Sequence, residues 1–105
     1  MRIDNRKMTF NAADCGEYLN QVLGVVLGSM MNNKCHLDKL VVNYSDGLKA
    51  EVFYPYTRKQ ELDFTLTDKD GKSVDGHRSD VGFLLVKLDG LARGHGFDEM
   101  EYTHY

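Results

Sequence analysis

The chain has 105 residues, 42% apolar and 28% charged, with a formal net charge of −3, the composition of one ordinary globular domain with a single core. The mild acidity argues against a nucleic-acid binder, which needs a basic footprint. The longest nearly apolar run, Val22 to Met31, is ten residues, half of the ~20 that cross a bilayer, so no membrane contact is expected.

The start is basic (Arg2, Arg6, Lys7) and the end acidic (Asp98, Glu99, Glu101), and both read as solvated termini. The start carries no signal-peptide pattern. Two cysteines, Cys15 and Cys35, make no disulfide framework. A cytoplasmic protein with reduced thiols is expected.

The first strong element is a helix over about Ala12 to Met31. Asn11 suits its N-cap, and Asp14 and Glu17 place negative charge near the positive helix end. Cys15, Leu19, Val22, Val26 and Met30 recur at spacings of three and four, and Tyr18, Leu23, Val25 and Leu27 widen that stripe. A helix so apolar must be covered on more than one side. Gly24 and Gly28 each cost about 1 kcal/mol of helix propensity against alanine. They allow close approach of another backbone: the chain's own sheet or second helix, or a homodimer seam.

Leu40 to Phe53 reads as a hairpin within about 37–56, closed by a three-residue loop, Ser45-Asp46-Gly47, with Gly47 left-handed. Tyr44 then faces Leu48, Val42 faces Ala50 and Leu40 faces Val52, all on one side. Lys39, Val41, Asn43, Lys49, Glu51 and Phe53 take the other. A two-residue Asp-Gly loop would scatter the apolar set. Tyr54-Pro55-Tyr56 ends the second strand, since proline cannot donate to a ladder.

Glu61 to Thr67 alternates with Leu62, Phe64 and Leu66 inward. Asp68-Lys-Asp-Gly71 is a turn, and Lys72 to Val74 a short fourth strand. A second helix runs from an N-cap at Ser79 to Arg93, with Asp80 in its first turn and Gly94 as its stop. Its stripe is Val81, Leu84, Leu85, Leu88, Leu91 and Ala92; a strand over Val81 to Leu88 competes. His95 to Tyr105 has no clear period and reads as a packed tail or a short strand. The expected fold class is α+β: a two-layer sandwich of helix, three or four antiparallel strands, and helix, in one domain.

Cys15 is the sharpest chemical candidate, because a helix N-terminus favours a thiolate. Asp14-Cys15-Gly16 before an apolar helix resembles the nucleophile segment of papain-like cysteine peptidases. That resemblance implies a hydrolase or transferase with Cys15 as nucleophile and His77 as base. The alternative makes Cys15 a small buried hydrophobe beside Leu19. Cys35 and His36 are adjacent, so in a strand they point to opposite faces and serve one zinc poorly. His77, His95 and His104 lack ligand spacing, and Asp68 to Ser73 lacks the oxygen series of a calcium loop. No metal or cofactor is expected. The helix–strands–helix order is similar to that of double-stranded-RNA-binding domains, but Ser79-Asp80-Val81-Gly82 stands where those carry lysines.

Tyrosines and phenylalanines beside charges have the composition of binding surfaces. The leading reading is a non-enzymatic module that binds another protein through a sheet edge and an aromatic ledge at Phe53, Tyr54 and Tyr56. Adaptors, chaperones and phage-encoded inhibitors are built at this size and charge. Secretion chaperones share the element order and form dimers.

Overall fold

The computed structural model describes residues 6–33, 38–53 and 61–104. Its elements are β1 (Arg6–Asn11), α1 (Ala12–Cys15), α2 (Leu19–Asn33), β2 (Lys39–Tyr44), β3 (Lys49–Phe53), β4 (Leu62–Thr67), β5 (Ser73–Arg78), α3 (Val81–His95) and β6 (Phe97–His104). The strands form one six-stranded antiparallel sheet in the order β1-β6-β2-β3-β4-β5. The class is α+β, with six strands where the sequence suggested three or four.

The β2–β3 hairpin has the expected register, with Leu40 against Val52, Val42 against Ala50 and Asn43 against Lys49. Gly47 sits at φ +94°. The Gly47 N–H donates to the Tyr44 carbonyl at 3.2 Å, and the Tyr44 N–H donates to the Leu48 carbonyl at 2.9 Å. Leu40, Val42 and Tyr44 are buried, as are Ala50 and Val52. β4 follows the expected alternation: Leu62 is buried, and Phe64 and Leu66 pack against the core.

Both termini of the described chain depart from expectation. β1 and β6 are paired antiparallel neighbours, Lys7 against Thr103 and Thr9 against Glu101. Lys7 therefore stands diagonally across from Glu101 of the acidic end, its Nζ 3.3 Å from Glu101 Oε1. β6 runs eight residues between β1 and β2. A bulge opposite Asn43 and Tyr44 puts Phe97 out of phase with the inward Met100 and Tyr102, so the period breaks at the start of the strand.

The first helix is not continuous. α1 ends at Cys15, a single 3₁₀ turn covers Gly16–Tyr18, and α2 starts at Leu19. Gly16 stands at φ +52°, a left-handed conformation that reorients the chain cheaply only at glycine. β5 extends to Arg78, well past the short strand expected. α3 is a helix, as its stripe indicated, with Leu84 and Leu88 buried. Its N-cap is Asp80, not Ser79: the Asp80 carboxylate accepts from the Phe83 N–H at 3.2 Å. It runs through Gly94 and stops at Gly96, φ +77°. Asp68 Oδ1 accepts from the Asp70 and Lys72 N–H groups, both at 2.9 Å, so that segment is a hairpin turn.

One apolar cluster joins Cys15 of α1, Leu19, Leu23, Val26, Leu27 and Met30 of α2, Leu84 and Leu88 of α3, and the inward rows of β2, β3, β4 and β6. The helices thus cover one face of the sheet. The opposite face is a checkerboard of charges, with Lys39 and Lys49 at 3.1 and 3.3 Å from the two Glu51 oxygens. Those ammonium groups hold the Glu51 carboxyl below its usual range, Lys39 foremost. No described helix is long and apolar enough to cross a membrane.

Candidate functional site

Two grooves lie towards opposite edges of the sheet. The first, about 410 Å³, is on the open face where β3, β4 and the edge strand β5 run together. Strand register puts Phe53, Asp63 and His77 in one row, and Thr65 and Asp75 in the next. Thr65 Oγ1 donates to Asp75 Oδ1 at 2.9 Å, and His77 Nε2 is 3.9 Å from Glu61 Oε2. Phe53 is exposed and rises at the end of that row, an aromatic face beside carboxylates. Between these rows Gly76 belongs to the inward row with Phe64 and Val52, and a Cβ there would meet the Phe64 ring at 2.6 Å on the helix-covered side. Of the sequence-derived ledge, Phe53 stands in this groove, while Tyr54 and Tyr56 lie outside the described residues.

The second groove, about 400 Å³, is apolar and sits over the other edge strand. Met8 and Phe10 of β1 form its floor, and Tyr18, Val22, Val25 and Ser29 its wall. Val25 is 70% exposed and Tyr18 57%. Both were expected to widen the buried stripe. They face instead past the last strand of the sheet, where the described chain offers α2 no cover. Residue spacing could not reveal this, because β1 was taken for a solvated end.

The remaining candidates are dispersed. Cys15 is buried at 2% exposure in the core cluster on the helix side. His77 belongs to the opposite sheet face, on β5, with four strands between β1 and β5 in the sheet order. The fold does not bring the two together, and a buried thiol of this kind packs as a small hydrophobe. Gly24 faces α3, where a Cβ would stand 3.7 Å from Leu85 Cδ2; a Cβ at Gly28 would meet nothing within 4 Å. Cys35 and His36 lie outside the described residues. Among the described residues, no three His, Cys, Asp or Glu side chains cluster as metal ligands.

The hairpin loop carries one further polar contact. His95 Nδ1 is 2.6 Å from Asp46 Oδ2, which joins the end of α3 to the β2–β3 turn. That hydrogen bond, ahead of a smaller one from the Leu48 N–H, holds the Asp46 carboxyl below its usual 3.8. A depressed carboxyl contributes stability above the unfolded-state value and loses it as pH falls through the folded-state value. The expected NMR titration midpoint for Asp46 therefore lies below 3.8, and His95→Gln moves it upward. A midpoint unchanged by that substitution would exclude the contact in solution.

Tyr44, under the same loop, donates its hydroxyl to the Leu88 carbonyl at 3.3 Å. Burial, with the Asp89 charge adding to it, pushes its ionisation far above the ordinary phenol range. Comparison with protein-family models, curated proteins and solved structures gives no match to this chain.

Proposed function

We propose that the chain is a non-enzymatic protein-binding module of the cytoplasm, an adaptor, chaperone or inhibitor, that docks another protein on the open sheet face at Phe53. What supports this is the groove between β3 and the β5 edge. It combines an exposed aromatic anchor with the Asp63 and Asp75 carboxylates, on rigid strands rather than loops. Aromatic anchors dominate binding energy at interfaces, and acidic groups on the same face, the exposed Asp75 foremost, favour a basic side chain from the partner. The burial of Cys15 and its separation from His77 agree with a binding role, because nucleophilic catalysis needs thiol and base within hydrogen-bond reach.

The test is capture of partners from a lysate of the source organism by the wild-type chain and by Phe53→Ala. Phe53 is exposed, so the variant keeps its fold, which circular dichroism verifies. The expected result is one stoichiometric partner whose affinity falls by about thirtyfold in the variant, the cost of a typical aromatic hot spot. Raising salt weakens capture further if a basic group occupies the carboxylates. Equal capture by both proteins excludes this site.

A further inference from the structure

We infer that a second copy of this chain covers the apolar groove at the opposite edge, with β1 pairing antiparallel to β1 of the other copy about a two-fold axis at Thr9. Two separate features lie side by side there. Among the described residues, β1 pairs only with β6, so its other edge is an open ladder, a template for another strand. Above it, Tyr18, Val22, Val25 and Ser29 are spaced four, three and four residues apart, the seam periodicity of helix-on-helix packing. An occupant that satisfies both must bring a strand edge and an apolar helix flank in the same relative placement. This chain presents that pair itself, and an isologous contact needs nothing else.

The register follows from parity and charge. A two-fold axis normal to the sheet keeps both helix layers on one face and pairs only residues that point the same way. With the axis at Thr9, Met8 meets Phe10 of the second copy above the sheet and Lys7 meets Asn11 below it. An axis at Met8 would set Phe10 against Arg6, and one at Lys7 would oppose two lysines. The Thr9 register places no like charges opposite one another, and Lys7 is already held by Glu101 at 3.3 Å. Roughly ten residues per copy become covered, about 1,000 Å² in total, at the lower bound for a specific interface. A micromolar, concentration-dependent dimer is the corresponding expectation. The seam lies on a different flank of α2 from Gly24, which faces α3.

Sedimentation velocity over about 5 to 500 μM spans such an equilibrium. Wild type is expected to shift from monomer to dimer, and Val25→Glu to remain monomeric. Val25 is exposed, so its fold survives the substitution, checked by thermal melting of the dilute monomer. The register is read by oxidative cross-linking in a Cys35→Ser background. Thr9→Cys places two thiols across the axis within disulfide reach and is expected to cross-link rapidly, whereas Lys7→Cys, four residues out of register with itself, does not. A wild type that stays monomeric throughout, or a dimer in which Thr9→Cys links no faster than Lys7→Cys, overturns the inference. Phe53→Ala dimerises like wild type, so failure here and failure at the Phe53 groove are told apart.

Discussion

Leu84→Ala is expected to lower folding stability by about 3–4 kcal/mol, while Val86→Ala, two residues further along α3, changes it by no more than about 0.5. Leu84 is 1% exposed and Val86 71%. The leucine lies in the cluster joining α2, α3 and the sheet. Its truncation removes buried methyl groups and leaves a cavity that two helices and a sheet cannot all close. Such a loss is a large share of the 5–15 kcal/mol that holds a small domain together. For a domain of about this size each kcal/mol moves Tm by roughly 4–8 °C, so the melting temperature falls by about 12–32 °C. Urea titrations of the two variants check the pair, with equal m-values confirming a change in stability rather than in the unfolded state. Similar midpoints for both would mean that α3 does not pack by this face.

The contrast between α3 and α2 shows what the sequence could reveal. On α3 the stripe from Val81 to Ala92 marked the packed face, and Val86 lay outside it. That helix has one covered side, and a 3.6-residue period describes one side well. α2 is apolar around most of its girth, so periodicity could not say which apolar residues were covered. Leu23 and Val25 looked alike, yet one is fully buried and the other largely exposed. The difference depends on where the sheet ends. That in turn depends on β1, whose six residues alternate Lys7, Thr9 and Asn11 with Met8 and Phe10 but are short and begin with basic residues.

The hairpin was legible for the opposite reason. Its loop, its left-handed glycine and its apolar rows all point to one register, and a slip by one residue would have reversed every side chain. At the Phe53 groove the sequence placed Phe53 on the polar face but could not supply its neighbours. Asp63, Asp75 and His77 come from two later strands, and their juxtaposition is a product of β3–β4–β5 pairing. Thr65 and Asp75, ten residues apart, meet for the same reason.

The second large effect belongs to a polar pair in the core. Tyr102 of β6 is 4% exposed and donates its hydroxyl to Asp38 Oδ2 at 2.7 Å, with Asp38 itself fully buried at the entrance to β2. Tyr102→Phe preserves the ring and its packing and deletes this one donor, so the expected loss is about 1.5–3 kcal/mol, the range for a hydrogen bond to a charged group. A double-mutant cycle with Asp38→Ala isolates the pair and should return a coupling of about 2 kcal/mol. Repeating the cycle with Asp38→Asn, which keeps an acceptor and removes the charge, should return roughly half that. A coupling under about 0.5 kcal/mol in both cycles would mean that the contact is incidental. The pair also bears on the β1 edge. β6 lies between β1 and β2, and the Tyr102 hydroxyl ties its far half to the residue that precedes β2. Loosening that tie frees β6 together with the strand it carries. Tyr102→Phe should therefore raise amide exchange in β1 and β6 ahead of β3 and β4, where an evenly spread loss of stability would raise all four alike.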